Sequence, residues 1–416
     1  MSLPGHVNGD RLPAGVGPFE PATSHRLVGA VWTLLLVNTL GFSKAVEMAV
    51  PFPRAVGQVV TMGALVAAFG LAIVLNPSGR IRPNPFLLVL SLLVVTSLAA
   101  SLQVEQNAGD ALFRSFRFAL FVVTLWLVSR WWDDALLFVR QTILFLAAML
   151  LLVLAGLLIS PSTALWGEQG RLVGTLWPIS APQVGQFGAV TVGLVALLWL
   201  SGRLRGPGAT LLALMAGACL LLSHTRTALI ALLVALVSAS LLLVNTNRRA
   251  RRALGTAAVV APILAILFRA DLVDWFQRGQ DADQLDNLTG RKVVWEALLG
   301  EDRSQFDNLL GGGLSDKSFQ GAAIDNSWYA VYLDQGFVGI VLVCAFLVYL
   351  GFSAIMREPG PNRGMAFFVV VFCVMSSYTE VGLGDASPYL LYLTMAAALL
   401  QPQLVRRSVE IAGESR

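Results

Sequence analysis

Charge is what this chain has least of. Only 13% of its 416 residues are Asp, Glu, Lys or Arg, about half the share that ordinary soluble domains carry. A water-facing globular surface is therefore excluded for most of the chain. Lysine is almost missing, with Lys44, Lys292 and Lys317 the only three, so the formal net charge of +4 rests on arginine. The three cysteines, Cys219, Cys344 and Cys373, lie inside apolar runs with no C-x-x-C spacing. Neither a disulfide framework nor a thiolate metal site is expected from them. Outside the first 26 residues histidine occurs once, as His224. No G-x-G-x-x-G follows a strand and no P-loop occurs, which argues against a bound nucleotide cofactor. The densest basic run, NRRARR, is a short loop and gives no ground for nucleic-acid binding.

Apolar residues fill the space, at 56% of the chain. Runs near 20 residues recur along it, the length an α-helix needs to cross about 30 Å of hydrocarbon. The pattern predicts an all-α polytopic membrane protein of about twelve transmembrane helices. Residues 1–26 read as a cytosolic tail rather than a signal peptide, because no short apolar core precedes a cleavage site. Nine spans follow over 27–268, a large outward loop over 269–326, three more spans over 327–401, and a second cytosolic tail over 402–416. Six loops or tails of one parity carry Arg80 and Arg82, Arg130, Arg203 and Arg205, the Arg248 to Arg252 cluster, Arg357 and Arg363, and Arg406 and Arg407. The positive-inside rule then puts both termini and these loops in the cytosol.

That orientation leaves a second set of arginines on the outer side, where topology gives no reason for them. Arg226 lies in Ser223-His224-Thr225-Arg226-Thr227, an almost loopless turn between two spans. A Ser or Thr there can cap the next helix, whose positive end together with a guanidinium suits a phosphate. The competing reading is a capped turn with its arginine reaching to lipid headgroups. Arg171 sits in a Gly- and Pro-containing outward loop that allows close backbone approach, or simply anchors at the membrane surface. Arg114 and Arg117, one helical turn apart, either line the same cavity or pair with Glu105 and Asp110. In the outward loop Arg291 opens RKVVWEALL, where Val294, Trp295, Leu298 and Leu299 fall at helical spacing. An amphipathic helix roofing a cavity is expected there. Asp281 and Asp283 have the Asp-x-Asp spacing of a metal grip, but their polar surroundings read as a solvated loop, and no metal is expected.

Three of these segments, GRLVGTLWP, SHTRTALIALLVAL and the series TGRKVVWEAL, LLGGGLSD and DNSWYAVYLDQGFVGI, together resemble the bacterial O-antigen ligase and Wzy-type polymerase superfamily over roughly Gly170 to Tyr349. The resemblance implies a GT-C-like bundle in the bacterial inner membrane. It implies a metal-independent, cofactor-free, inverting glycosyltransferase that moves a glycan from an undecaprenyl-pyrophosphate donor to an acceptor hydroxyl, either a growing polysaccharide or a ligase acceptor. Arg171 and Arg226 would hold the pyrophosphate and Arg291 would reach it from the loop. Asp325 stands where the family's ligases have histidine. It serves either as general base, with less intrinsic basicity than imidazole, or as the N-cap of the helix that follows. His224 is the competing base, and Glu380 and Asp385 are further carboxylates. A transporter or flippase of lipid-linked sugars is the alternative from another class; it calls for mid-membrane charges and an internal repeat of broken helices, and no repeat is visible.

Overall fold

The computed structural model describes residues 22–43, 46–103, 108–166, 170–277 and 291–402. Asp281, Asp283, Thr289, Gly290, Glu105, Arg278, Arg406 and Arg407 lie outside them. The described chain is mostly helical. The long helices are α1 (Ala22–Asn38), α2 (Arg54–Leu75), α3 (Pro85–Leu102), α4 (Ala108–Val128) and α5 (Ala135–Ile159), then, after the one-turn α6 (Pro161–Ala164), α7 (Ala181–Leu200), α8 (Pro207–Leu222), α9 (Arg226–Leu243) and α10 (Arg248–Leu267). The outward segment holds α11 (Arg269–Gln277), α12 (Arg291–Leu299) and α13 (Gln305–Leu310). The chain closes with α14 (Ser327–Met356), α15 (Pro361–Ser376) and α16 (Pro388–Leu399).

Each of the twelve apolar stretches is helical. Seven helical runs are long and apolar enough to cross a membrane, α4 and α5 forming one run through a 3-10 turn, while α8, α15 and α16 are shorter. Helix length alone therefore does not establish twelve crossings. The first helix ends at Asn38, after which the Thr39 N–H turns back onto the carbonyls of Leu35 and Leu36.

The distribution of apolar side chains is that of a protein in hydrocarbon. α16 is buried from Tyr389 to Leu399, as expected of a helix apolar on all sides at the centre of a bundle. On α10, by contrast, Val259, Ile263, Ile266 and Leu267 are all exposed. An apolar surface of that extent favours lipid over water. Proline and asparagine begin α3: Pro85 stands at its first turn and Asn84 accepts from the Phe86 N–H at 2.8 Å. The basic loops gather at one end of the bundle, where Asn76 bonds Arg80 and Leu127, Arg203 bonds Asn362, and Arg357 bonds the carbonyls of Leu400 and Gln401. The opposite end carries the long segment between α10 and α14 and is called here the long-loop end.

That segment is structured. α12 buries Trp295 and Leu298 and packs Val294 against Phe319, Ile324 and Ala330, as the spacing predicts. Leu299 faces out instead, at 58% exposure. β3 (Ser318–Phe319) and β4 (Ala322–Ala323) form a two-residue hairpin beneath it. One break was not foreseen. α14 is kinked at Gly336, whose φ of 62° lies in the left-handed region. The freed carbonyls of Leu333 and Asp334 accept from Gly312 and Gly313 N–H at 2.9 and 3.0 Å, so the long segment is laced into the broken helix. A Cβ at Gly336 would stand 2.4 Å from the Leu309 backbone. Gly336→Ala is expected to destabilise the fold by about 2–4 kcal/mol, read as a lower unfolding midpoint in detergent. Gly351→Ala in the same helix, where a Cβ meets nothing within 4 Å, is the control expected to lose nothing.

Candidate anion site at the long-loop end

Four clamps assemble the site. β1 (Leu165–Trp166) pairs with β2 (Arg171–Leu172), and Arg171 Nε donates to the Ser223 carbonyl at 3.2 Å, fixing that loop to the turn before α9. α7 approaches the same turn closely because Gly185 has no side chain; a Cβ there would lie 2.6 Å from Thr225. The loop between α15 and α16 is tied to α9 by Thr379 Oγ1 donating to Thr227 Oγ1 at 2.7 Å. It is tied to α14 by Ser327 Oγ donating to the Glu380 carbonyl at 2.7 Å and Asn326 Nδ2 donating to the Tyr378 carbonyl at 2.9 Å. Finally, Trp295 Nε1 donates to the Ile324 carbonyl at 2.8 Å, bringing α12 beside Asp325.

The result is one cluster. Arg291 and Asp325 form an ion pair at 3.3 Å. Arg171, half-buried, has its hold on the proton weakened by burial; Glu380 opposes this, while the neighbouring charges of Arg291 and Arg226 add to it. Glu380, also half-buried, is pushed up to about 8. Burial is the main cause, Asp325 adds to it, and Arg291, Arg171 and a hydrogen bond with Gln186 pull the other way. Five charged residues from five distant segments thus share one electrostatic neighbourhood.

Two local expectations are corrected. Asp325 is not the cap of α14: Asn326 is, accepting from Trp328 and Tyr329 N–H at 2.8 and 3.2 Å. Asp325 instead adopts a φ of 41°, a conformation uncommon outside glycine, found where function or a tight turn demands it. Nor does a hydroxyl cap α9. Thr225 Oγ1 donates to the Ala181 carbonyl at 3.1 Å and makes no bond to the helix N–H groups. Arg226 itself donates to the Gln277 carbonyl of α11 at 2.9 Å.

Three further residues singled out from the sequence have other partners. His224, with φ of 48°, stacks on Trp275 at 5.8 Å and faces the Leu222 carbonyl at 3.2 Å. Arg117 donates to the Asn38 carbonyl at 2.6 Å, and its charged neighbours are Asp385 and Arg114. Arg114 is exposed, and neither arginine pairs with Asp110. Sequence reading ranked Glu380 only as an available carboxylate; its importance comes from burial among arginines, for which the chain order holds no signal. Among the described residues no group of three His, Cys, Asp or Glu could hold a metal ion.

Fold and site together define a helical membrane protein with a cationic, carboxylate-containing cluster at one end of its bundle. No family model and no curated protein matches the chain.

Proposed function

We propose that the protein is a membrane glycosyltransferase that takes a glycan from an undecaprenyl-pyrophosphate donor on the outer face of the bacterial inner membrane, with about twelve spans and both termini cytosolic. The observation that carries this reading is the convergence of Arg171, Arg226 and Arg291 with Asp325 and Glu380. Fixed guanidiniums are suited to a diphosphate because their planar forks bind its oxygens and neutralise the charge that grows on it as the sugar departs. They take the part that a metal plays in many other sugar transferases.

Charge balance supports the same ligand. At neutral pH Glu380 is largely protonated, since its proton affinity is raised to about 8. Three guanidiniums against the ion-paired carboxylate of Asp325 then leave a surplus of two positive charges, matching a diphosphate with one negative charge on each phosphate. Asp325 is the proton acceptor in this reading: its side chain is 44% exposed and is held in place by Arg291. It would draw the proton from the acceptor hydroxyl as that oxygen attacks the anomeric carbon from the face opposite the pyrophosphate, inverting the centre. Loss of the histidine seen in the ligases favours a polymerase, whose acceptor is another lipid-linked unit.

In detergent, with lipid-linked donor and no membrane to cross, release of undecaprenyl pyrophosphate is the expected activity. Asp325→Ala is expected to lower it by roughly 10²–10⁴-fold with donor binding retained. Absence of any pyrophosphate release from the unaltered protein would leave lipid-linked sugar transport as the surviving reading.

A further inference from the structure

A second polar cluster lies at the long-loop end, joined to the first by the α15–α16 loop, which carries both Glu380 and Asp385. Its key feature is an unsatisfied donor and an unsatisfied acceptor on two residues that touch, Arg117 and Asn38. Arg117 Nη2 is held on the Asn38 carbonyl at 2.6 Å, but Nε of the same guanidinium is buried without a partner. Asn38 is fully buried; its Nδ2 donates to the Thr61 carbonyl at 2.9 Å, and its Oδ1 has no partner. Each such buried group left alone is destabilising. A hydroxyl, which donates and accepts through one atom, satisfies both at once.

The neighbouring groups extend the same chemistry. Asp385 lies in the field of Arg117 and 3.5 Å from Lys317 Nζ, with its side chain 34% exposed. Lys317 is bound mainly by the fully buried Asp334, which also accepts from Ser315 Oγ at 2.8 Å. Asp385 therefore keeps acceptor positions open. Gln335 donates to Ser97 Oγ at 2.8 Å and to the Gly384 carbonyl, leaving a buried, unpartnered Oε1 beside Gly384. Arg114, Arg117 and Lys317 against Asp334 and Asp385 leave a surplus of one positive charge, smaller than that of the first cluster, and the unsatisfied donor and acceptors suit a ligand with several hydroxyls.

We propose that this cluster is a carbohydrate subsite for the acceptor glycan. The proposal rests on the glycosyl-transfer reading for its role, though not for its ligand chemistry. Asp385, in the field of Arg117, follows Glu380, in the field of Asp325, by five residues, at most about 18 Å of chain, so an oligosaccharide of a few sugars links the two clusters. Arg117 and Asp385 then hold the acceptor's inner sugars while its terminal hydroxyl meets Asp325.

The test uses the full chain in detergent and two probes: neutral oligosaccharides released by mild acid from the source organism's surface polysaccharide, and undecaprenyl pyrophosphate. Asp385→Asn and Arg117→Gln are expected to weaken oligosaccharide binding at least tenfold and to leave undecaprenyl pyrophosphate binding unchanged. Arg171→Gln is expected to do the reverse. Asp385 is partly exposed, so its amide variant keeps the proposal testable if Arg117→Gln fails to fold, as judged by its unfolding midpoint. Oligosaccharide binding that is absent from the unaltered protein, unchanged in both variants, or displaced by inorganic phosphate would overturn the subsite. If oligosaccharides bind in an Asp385-dependent way while undecaprenyl pyrophosphate does not bind, the donor reading fails and the carbohydrate subsite stands.

Discussion

Arg171→Gln is expected to lower turnover of the lipid-linked donor by about 10²–10³-fold, the loss typical when one fixed donor to a developing negative charge is removed. Arg171 is singled out because it is half-buried, bonded through Nε to the Ser223 carbonyl, and surrounded by Glu380, Arg291 and Arg226. With Nε committed to Ser223, its remaining N–H groups are positioned at no further cost in side-chain freedom. Arg171→Lys keeps the charge but not the planar fork, and recovery of less than a tenth of the lost activity is expected. Full activity in either variant would remove the anion site from the mechanism. The measurement is release of undecaprenyl pyrophosphate at saturating and at limiting donor, so that binding and turnover separate.

The second large effect concerns pH. Glu380 titrates near 8, above the ordinary carboxylate range, mainly because it is buried. Below that pH it is neutral and the cluster holds its full positive surplus. Above it the carboxylate ionises beside the pyrophosphate and repels it. Donor affinity is therefore expected to be flat from about pH 6 to 7 and to fall above pH 8, by at most about tenfold per pH unit because one proton is linked to binding. In Glu380→Gln that alkaline loss should vanish while turnover near neutrality persists. If Glu380 were instead the proton acceptor, the unaltered enzyme would gain rate up to pH 8 and the glutamine variant would be inactive. The same linkage bears on folding. A carboxyl whose folded proton affinity is raised is destabilising once it must ionise, a penalty that is small below the unfolded value near 4.5 and complete above about 8. Glu380→Gln is accordingly expected to raise the unfolding midpoint most at alkaline pH.

Much of the architecture was legible because it depends on local quantities. Runs of apolar residues predicted the helices. Arginine parity foretold which loops gather at one end, as the bonds of Arg203 to Asn362 and of Arg357 to Leu400 bear out. The α12 surface helix followed from the spacing of Val294, Trp295 and Leu298. What was not legible turned on three-dimensional partners. Asp325 and Asn326 are both good caps by type, but Asn326 alone is locked by the Tyr378 carbonyl, which leaves Asp325 to Arg291. For Arg114 and Arg117 the chain order names no distant partner; α4 carries Arg117 to Asp385 and Asn38. His224, two residues from Arg226, is turned by its left-handed backbone onto Trp275.

Composition and periodicity by themselves determined that this chain is helical, lipid-exposed and polarised between a basic end and a long-loop end, because hydrophobic burial and helix pairing act over a few residues. Tertiary structure alone decided which charges meet. The distance between Arg171 and Glu380, the proton affinity of that carboxyl and the kink at Gly336 depend on hydrogen bonds between segments far apart in sequence, and Coulomb and desolvation energies respond to separation in space rather than along the chain.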